Sequence, residues 1–246
     1  MDNKIDKICE LINKSNKTTV LTGAGISVES GIPAFRGKKS FWDNYNPKML
    51  SVDHFYKNPE ESWSVLEKIY EKVIEADPNE THKILADMES ENLIQHIITQ
   101  NIDGLHNKAG SKNVIEFHGA ANRFECLHCN IYYNFDEKED FELPMRCSHC
   151  GNLLKPEIVF FGEGIPQPEY GLSIQTVVDS SLIIIIGTSG EVTPFNKLPE
   201  YAKDTGAQIV EINLTKTHYT DEIADISIQA KSTDVLRKIY NKIKES

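Results

Sequence analysis

The sequence lacks any long apolar run: its longest unbroken aliphatic stretch is LIIII, at residues 182–186. A helix that crosses a bilayer needs about 20 apolar residues, so we expect no membrane span. Basic residues are also scarce, with 26 Lys and Arg against 37 Asp and Glu and a formal net charge of −11. A nucleic-acid-binding surface needs clustered cations to neutralise phosphates, which argues against direct binding to nucleic acid.

The N-terminal segment MDNKIDKICELINK has none of the uninterrupted apolar core that a signal peptide requires. Charges run through it, and Ile5, Ile8, Cys9 and Ile12 recur at helical spacing. We therefore predict a helix with one apolar face and expect a cytoplasmic protein. Cys9 lies far from the other cysteines and is expected to pack as a small apolar residue.

Short apolar runs bounded by turn residues recur along the 246 residues and predict strands. They are TTVLTGAG from residue 18, IQHIITQN from 94, NVIEFHG from 113, EIVFFGE from 157, SLIIIIGTSG from 181 and AQIVEIN from 207. Several are continuous in Val, Ile and Leu, which is typical of strands buried on both faces. Helical patterns separate some of them, and alternating strands and helices predict an α/β fold with a doubly wound parallel sheet.

One of the predicted helices carries a clear start signal. In DPNETHKILADMESEN, Asp77 is the predicted N-cap, Pro78 the first helical residue, and Glu80 stands in capping-box register. Two segments interrupt the alternation of strands and helices: residues 38–77, which are helical and rich in aromatic residues, and residues 126–150.

The second of these segments contains two CxxC pairs. CLHC and CSHC place Cys126, Cys129, Cys147 and Cys150 at the spacing of a zinc ribbon. Two disulfides are the alternative, but they are disfavoured in a protein without an export signal. Four thiolates complete the coordination of Zn²⁺, so we predict one structural zinc ion per chain.

The first predicted strand ends in TGAGISVESG, where Gly23 and Gly25 would let the main chain approach a pyrophosphate. A Gly-Ala-Gly sequence is also a common tight turn. Val28 occupies the position of the third glycine of the dinucleotide fingerprint, which disfavours a hydride-transferring dehydrogenase. Gly187 and Asn213 follow two further strands, and small or polar residues at three strand ends suggest a dinucleotide lying across them.

The stretch TQNIDGLHNKAG, at residues 99–110, follows another predicted strand. It places Gln100, Asn101 and Asp103 where ligands bind in an open parallel sheet. Asn and Asp also form turns and helix caps, so a purely local role is the alternative. His106 is expected to be a structural residue of the following helix.

The ordered motifs GAGIS…SGIPAFRG, TQNIDGLH, EFHG, the paired CxxC sequences, KPEIVFFGE, GTSGEV and EIN resemble those of the sirtuins, which are NAD-dependent protein lysine deacylases. The resemblance runs from about residue 18 to 230. It implies a large Rossmann-like domain, predicted at residues 1–37, 77–121 and 155–246. It also implies a small domain, with a helical module at 38–76 and a zinc-ribbon module at 122–154.

The resemblance implies that NAD is consumed as a co-substrate, with release of nicotinamide and an O-acyl-ADP-ribose. His118 would act as the general base on a ribose hydroxyl, and its near-neutral pKa suits that role. Asn101 would orient the ribose. The implied NAD contacts are Gly23, Ala24, Gly25, Ser27, Phe35, Arg36, Gln100, Asn101, Ile102, Asp103, Gly187, Thr188, Ser189, Asn213 and Ala230.

The implied partners are acyl-lysine proteins or peptides, bound along KPEIVFFGE as an added strand. Peptide contacts are expected at Val159, Phe160, Gly162 and Glu163; the alternative is another core strand, with Ile158 and Phe161 as its core residues. Sirtuins that remove succinyl groups carry Tyr and Arg where this sequence has Leu66 and Ile69, so the resemblance implies uncharged acyl groups. Packing of Leu66 and Ile69 within their own module is the alternative.

The family also includes mono-ADP-ribosyltransferases and NAD hydrolases, which form the second functional hypothesis. A non-catalytic NAD sensor, or a zinc-ribbon interaction module on an NAD-binding fold, is the third. An intact His118 and a recognisable peptide segment favour deacylation. The protein substrates and the oligomeric state are not specified by the sequence.

Overall fold

A parallel sheet forms the centre of the computed structural model, which describes residues 1–34, 40–135 and 142–245. Its strands are Thr18–Thr22 (β1), His96–Thr99 (β2), Val114–Glu116 (β3), Leu182–Ile186 (β7), Gln208–Asn213 (β8) and Ile226–Gln229 (β9). They lie in the order β3-β2-β1-β7-β8-β9, and all neighbours are parallel. The direction of winding reverses between β1 and β7, which makes this pair the switch point of the sheet.

The described residues form helices that cover both faces of this sheet and helices that pack elsewhere, in the core around Trp63. The helices are Asp2–Lys14 (α1), Val52–Lys57 (α2), Pro59–Glu75 (α3), Glu80–Ser90 (α4), Leu105–Ala109 (α5), Gln167–Val178 (α6), Leu198–Asp204 (α7), His218–Glu222 (α8) and Ser232–Lys244 (α9). Short 3₁₀ helices span Ala24–Ser30, Phe41–Asp43, Pro47–Leu50 and Phe195–Lys197.

Successive side chains of the strands enter different cores. Val20 and Ile184 pack with α1, α4 and α9, whereas Leu21 and Ile183 pack with α6, α7 and α8. Burial on both faces explains why these strands read as continuous aliphatic runs. The predicted doubly wound α/β sheet is therefore confirmed. Cys9 is buried in the first core, as expected.

A second, antiparallel sheet contains Gly119–Cys126 (β4), Ile131–Asn134 (β5) and Lys155–Ile158 (β6), in the order β5-β4-β6. It packs against α3 through an aromatic cluster. Phe124 stacks on Trp63 and Tyr70, and the latter two donate hydrogen bonds to the carbonyls of Leu154 and Ala121. Buried Trp and Tyr need such acceptors for their polar atoms.

The start of α4 differs from the prediction. Asn79, rather than Asp77, is the N-cap and accepts a hydrogen bond from the Thr81 amide at 2.9 Å, so Pro78 precedes the helix. The Asn79 amide also donates to the carbonyl of Ile26 at 2.7 Å, an acceptor that the Asp77 carboxylate could not use. Asp77 instead pairs with Lys108.

Two strands also differ from the sequence-based expectation. The predicted strand at EIVFFGE is β6, which ends at Ile158 and pairs with β4 in the antiparallel sheet. Strand β9, at the edge of the parallel sheet, was not predicted because ISIQ alternates and is short. The division into domains at residues 37, 77, 121 and 155 stays a prediction. Within the described residues, no helix is both long and apolar enough to cross a bilayer.

Candidate active site and metal centre

A cleft with a volume of about 1290 Å³ opens at the carboxyl ends of β1, β2, β7 and β8. It therefore lies at the switch point of the parallel sheet, where open α/β folds bind their ligands. Its other wall comes from residues 158–165, which begin at the last residue of β6. The volume exceeds that of most small-molecule sites, about 300–1,000 Å³, so the cleft can hold a dinucleotide and part of a second ligand.

Two glycine turns interlock on one side of the cleft. The Gly25 amide donates to the Gly187 carbonyl at 2.8 Å, and a Cβ on Gly25 would lie 2.7 Å from that oxygen. Gly187 has φ +64°, and its own Cβ would lie 2.6 Å from the Ile26 nitrogen. The sequence suggested that these glycines admit a ligand; they are also required for the contact between the turns.

The segment after β2 links these turns. Gln100 donates from its amide to the Thr188 hydroxyl at 2.7 Å. Asn101, which is buried, donates from its amide to the Gly23 carbonyl and the Ser27 hydroxyl. Both side chains line the cleft, so the structure brings the ends of β1, β2 and β7 together as predicted from the strand ends.

Asp103 lies behind this surface. Its carboxylate accepts hydrogen bonds from the Ser27 hydroxyl at 2.6 Å and from the Leu105 amide at 3.0 Å. Burial raises the pKa of Asp103 above its ordinary value, although both hydrogen bonds lower it. The contact with Leu105 closes a local turn just before α5, whose N-cap is Gly104, so the turn role that the sequence left open is present in the structure.

His118 follows β3 and lines the cleft. Its Nδ1 lies 3.2 Å from the Gln100 carbonyl oxygen. That oxygen only accepts, so Nδ1 carries the proton and Nε2 is the basic nitrogen. Burial lowers the pKa of His118, so the imidazole is neutral at neutral pH. Gly119 must follow it: at φ +79°, a Cβ would lie 1.9 Å from the Glu157 carbonyl oxygen.

Most of the predicted NAD contacts line the cleft. They are Gly23, Ala24, Gly25, Gln100, Asn101, Ile102, Gly187, Thr188, Ser189 and Asn213. Ser27 is fully buried and supports Asn101, while the Ala230 amide donates to the Asn213 carbonyl from outside the cleft. Phe35 and Arg36 lie outside the described residues.

The predicted peptide contacts also line the cleft: Val159, Phe160, Gly162 and Glu163. Of the two alternative core residues, Ile158 is buried in the core around Trp63, whereas the core role of Phe161 is wrong. Phe161 is 49% exposed, whereas Phe160 is 3% exposed and its ring packs on Phe55. The turn at Gly162, with φ +84°, follows these two residues.

The two predicted acyl-contacting residues differ in position. Ile69 lines the cleft together with Leu50, Ile102 and Phe160. Leu66 is fully buried in the core around Trp63 and is not among the lining residues. Their spacing of three residues places both on one face of α3, but only Ile69 on that face borders the cleft.

Sequence reasoning missed several residues that line the cleft. Thr215, Lys216, Thr217 and His218 follow Asn213 at the end of β8, and the rule that ligands lie beyond strand ends could have included them. Leu50 and Tyr170 are brought to the cleft by tertiary packing alone, which no local pattern indicates.

The four cysteines of the CxxC pairs converge. Their Sγ atoms all lie within 4.8 Å of one another, and all five cysteines of the chain are free. A tetrahedral Zn²⁺ with Zn–S bonds near 2.3 Å separates its sulfurs by roughly 3.8 Å, and Cys126 and Cys150 are 3.6 Å apart. The donor set therefore fits one structural zinc ion and excludes the disulfide alternative.

Comparisons with known proteins agree with this geometry. A family model described as the Sir2 family matches residues 23–194. The chain is 44% identical to "NAD-dependent protein deacetylase 2" of Caldanaerobacter subterraneus subsp. tengcongensis, over 99% of this chain and 98% of the relative. It is 41% identical to an "NAD-dependent protein deacylase" of Aquifex aeolicus, over 92% of this chain and 94% of the relative.

Solved structures show the same similarity. A Sir2 homologue mutant in complex with ADP-ribose superposes with a TM-score of 0.91 at 37% identity, covering 98% of this chain and 96% of the other. A complex described as Sir2 with a p53 peptide and NAD⁺ superposes with a TM-score of 0.86 at 36% identity, covering 98% and 99%. The similarity thus extends over nearly the whole length of each chain.

Proposed function

The chain belongs to the Sir2 family of NAD-dependent protein deacylases, and we propose that it removes uncharged acyl groups from lysine side chains with His118 as the general base. The observation that carries this proposal is the position of His118. It lies in one cleft with the interlocked glycine turns on one side and residues 159–163 on the other. A base at this junction can act on a ribose and an acyl-lysine that meet there.

We assign the dinucleotide to the side of the cleft formed by the ends of β1, β2, β7 and β8. When bound, NAD supplies an anomeric carbon that becomes electrophilic as nicotinamide leaves. The main chain at Gly23 and Gly187 allows close approach of the phosphates. Asn213, the last residue of β8, lines the cleft as well. The amide nitrogens of Gln100 and Asn101 are bound to the protein, so we propose that their amide oxygens face the ribose. Asp103 holds Ser27 and thereby the Asn101 side chain.

His118 is suited to take a proton from a ribose hydroxyl. Its Nδ1–H donates to the Gln100 carbonyl, which fixes the tautomer and leaves Nε2 free to accept. The neutral imidazole is available at physiological pH because burial lowers its pKa. General-base catalysis of this kind contributes typically 10²–10⁴-fold, or roughly 3–5 kcal/mol of barrier.

The opposite side of the cleft is proposed to bind the peptide and the acyl group. Val159, Phe160, Gly162 and Glu163 line this side of the cleft, and we place the main chain of the peptide along them. Ile69, Leu50 and Ile102 form an apolar wall next to it, and we place the acyl group there. Burying a carboxylate against such a wall without a cation is costly, so succinyl-lysine should be a poor substrate.

The test is mass spectrometry of acyl-lysine peptides incubated with and without NAD. We expect NAD-dependent loss of the acyl group, with nicotinamide and O-acyl-ADP-ribose formed in equal amounts. Nicotinamide without loss of the acyl group would identify an NAD hydrolase, and transfer of ADP-ribose to the peptide would identify an ADP-ribosyltransferase. Either result would overturn the proposal.

A further inference from the structure

The peptide side of the cleft contains a buried cation. Lys155, in β6, has a side chain that is 8% exposed, and its ammonium lies 3.1 Å from the Glu163 carboxylate. The same nitrogen donates to the carbonyls of Pro156 at 3.3 Å and Ile158 at 3.4 Å. It also lies 4.6 Å from the centre of the Phe160 ring. An ammonium has three N–H bonds, and each of them has an acceptor here.

Glu163 uses its second carboxylate oxygen on the main chain. That oxygen accepts a hydrogen bond from the Phe160 amide at 3.0 Å, and the Glu163 amide donates to the Phe160 carbonyl at 3.0 Å. Residues 160–163 are therefore closed into a turn, with Gly162 at φ +84°. The carboxylate bridges this turn to the ammonium of Lys155, and both of its oxygens are occupied.

The turn is joined to His118 and to the helical module through its main chain. The Val159 amide donates to the carbonyl oxygen of His118 at 2.9 Å. The Phe161 amide donates to the Leu50 carbonyl, and the Val52 amide donates to the Phe161 carbonyl. A shift of the turn would thus displace His118, the proposed general base, and Leu50 in the wall that we assign to the acyl group.

Lys155 is buried, whereas the Glu163 side chain is 29% exposed, so the pair is partly removed from water. Removing a charge from water is costly, and an apolar pair of similar volume is often as stable or more stable. A pair that does not maximise stability can instead fix one conformation. Here the fixed feature is the turn that faces the cleft.

We propose that Lys155 and Glu163 are positioning residues that hold residues 159–163 in the conformation that receives the substrate main chain, and that the Glu163 carboxylate acts on this turn rather than on the substrate. This inference rests on the proposed function of the peptide side of the cleft. It predicts that a substitution at Glu163 changes KM equally for peptides with and without a charged residue beside the modified lysine.

The test is a double-mutant cycle with Glu163→Gln, Lys155→Met and the double variant. Two acyl-lysine peptides are compared that differ only in having Arg or Gln beside the modified lysine. Each single substitution should raise KM for both peptides by roughly 3- to 100-fold, the range spanned by coupling between contacting residues. The double variant should be little worse than either single variant, and the Kd for NAD should stay near that of the wild type.

Glu60→Gln is the matched control, because Glu60 pairs with Arg146 on the exposed surface of the same part of the molecule. It should leave both KM values unchanged. Amide hydrogen exchange at residues 159–161 adds a readout independent of turnover, and exchange should be faster in Glu163→Gln than in the wild type. If the single variants fold poorly, the double variant, which buries no unpaired charge, still tests the inference: its KM should be raised for both peptides, and its exchange at residues 159–161 should be faster than in the wild type.

Additive effects in the cycle would overturn the inference. So would a rise in KM confined to the Arg-containing peptide, since that would indicate direct contact between Glu163 and the substrate. Failure of the proposed function has a different signature: the wild type itself would leave the acyl-lysine peptide unchanged in the presence of NAD.

Discussion

The Nδ1 atom of His118 lies 3.2 Å from the carbonyl oxygen of Gln100, the residue that follows β2. This contact determines which nitrogen of the imidazole is basic. The same residue donates from its side chain to Thr188, at the end of β7. Gln100 therefore connects His118 to the glycine turns. The placement of the imidazole depends on three parts of the chain, at residues 100, 118 and 188.

Replacing His118 with Ala should reduce kcat for acyl removal by roughly 10²–10⁴-fold. NAD binding, measured by titration calorimetry, should remain close to that of the wild type, because the role that we propose for the ring is proton transfer and not cofactor binding. His128→Ala is the control, since His128 is exposed and outside the cleft. Near wild-type turnover by His118→Ala would end the assignment.

The purified protein should contain about one zinc ion per chain. Cys147→Ser should lose it and unfold the region around β5, because metal binding in such ribbons is coupled to folding. Cys9→Ser is the matched control: Cys9 is buried against α9, so the zinc content should not change. Metal analysis and near-UV circular dichroism give the two readouts. A metal-free preparation with an intact fold and full activity would contradict the prediction.

Gly25→Ala should weaken NAD binding and lower stability by about 1–3 kcal/mol, the range for overpacking. The added methyl group would lie 2.7 Å from the Gly187 oxygen, which forces the two turns apart. Gly171→Ala is the control, because Gly171 lies within α6 and a Cβ there meets nothing. That change should stabilise the protein by roughly 0.5–1 kcal/mol. Thermal unfolding with and without NAD compares the two, and equal effects would refute the argument.

Ile69→Arg should raise kcat/KM for a succinyl peptide relative to the acetyl version of the same peptide. Ile69 lines the cleft, and a guanidinium there can pair with the succinyl carboxylate. Leu66→Ala should leave the selectivity unchanged while costing about 2–5 kcal/mol of stability, because Leu66 is fully buried. If the wild type already prefers the succinyl peptide, the assignment of the apolar wall fails.

Acid should destabilise the protein through two buried histidines, His82 and His106, whose ring centres are 5.0 Å apart. Burial lowers the pKa of His82 from 6.5 to about 4, and it holds the pKa of His106 well below its ordinary value. The unfolded chain then binds these protons more readily than the folded one, so stability falls as the pH drops below 6.5. His82 alone should remove roughly 2 kcal/mol between pH 7 and pH 5.

Urea unfolding at the two pH values measures this loss. His82→Leu cannot titrate, so its loss of stability over the same interval should be smaller than that of the wild type. An equal loss in both proteins would show that His82 does not contribute to acid sensitivity.

Much of the fold was predictable because its signals are local. The aliphatic runs of β1, β7 and β8 are buried on both faces, and their composition shows it. The cysteine pairs have a spacing that suits one metal ion. The strand-end rule placed Gln100 and Asn101 in the cleft because parallel strands end at one edge of the sheet.

The remaining features depend on contacts that the sequence does not display. Asn79 caps α4 in place of Asp77 because its amide reaches the Ile26 carbonyl. Phe160 is buried and Phe161 exposed because the chain turns after β6, where the strand pattern was expected to continue. Lys155 reads as an ordinary surface residue, and only the structure shows it paired with Glu163.

The central position of β1 also determines when the molecule can fold during synthesis. Its Val20 pairs with Ile97 on one side and with Ile184 on the other. The ribosome must therefore complete β7 before both edges of β1 are paired, and until then the unpaired edge is a site for aggregation or chaperone binding. Pairing between such distant segments makes folding slow. An N-terminal fragment that ends before β7 lacks Gly187, so its Gly25 turn has no partner. Strand β1 is therefore synthesised early but is fully paired only after β7 has been made.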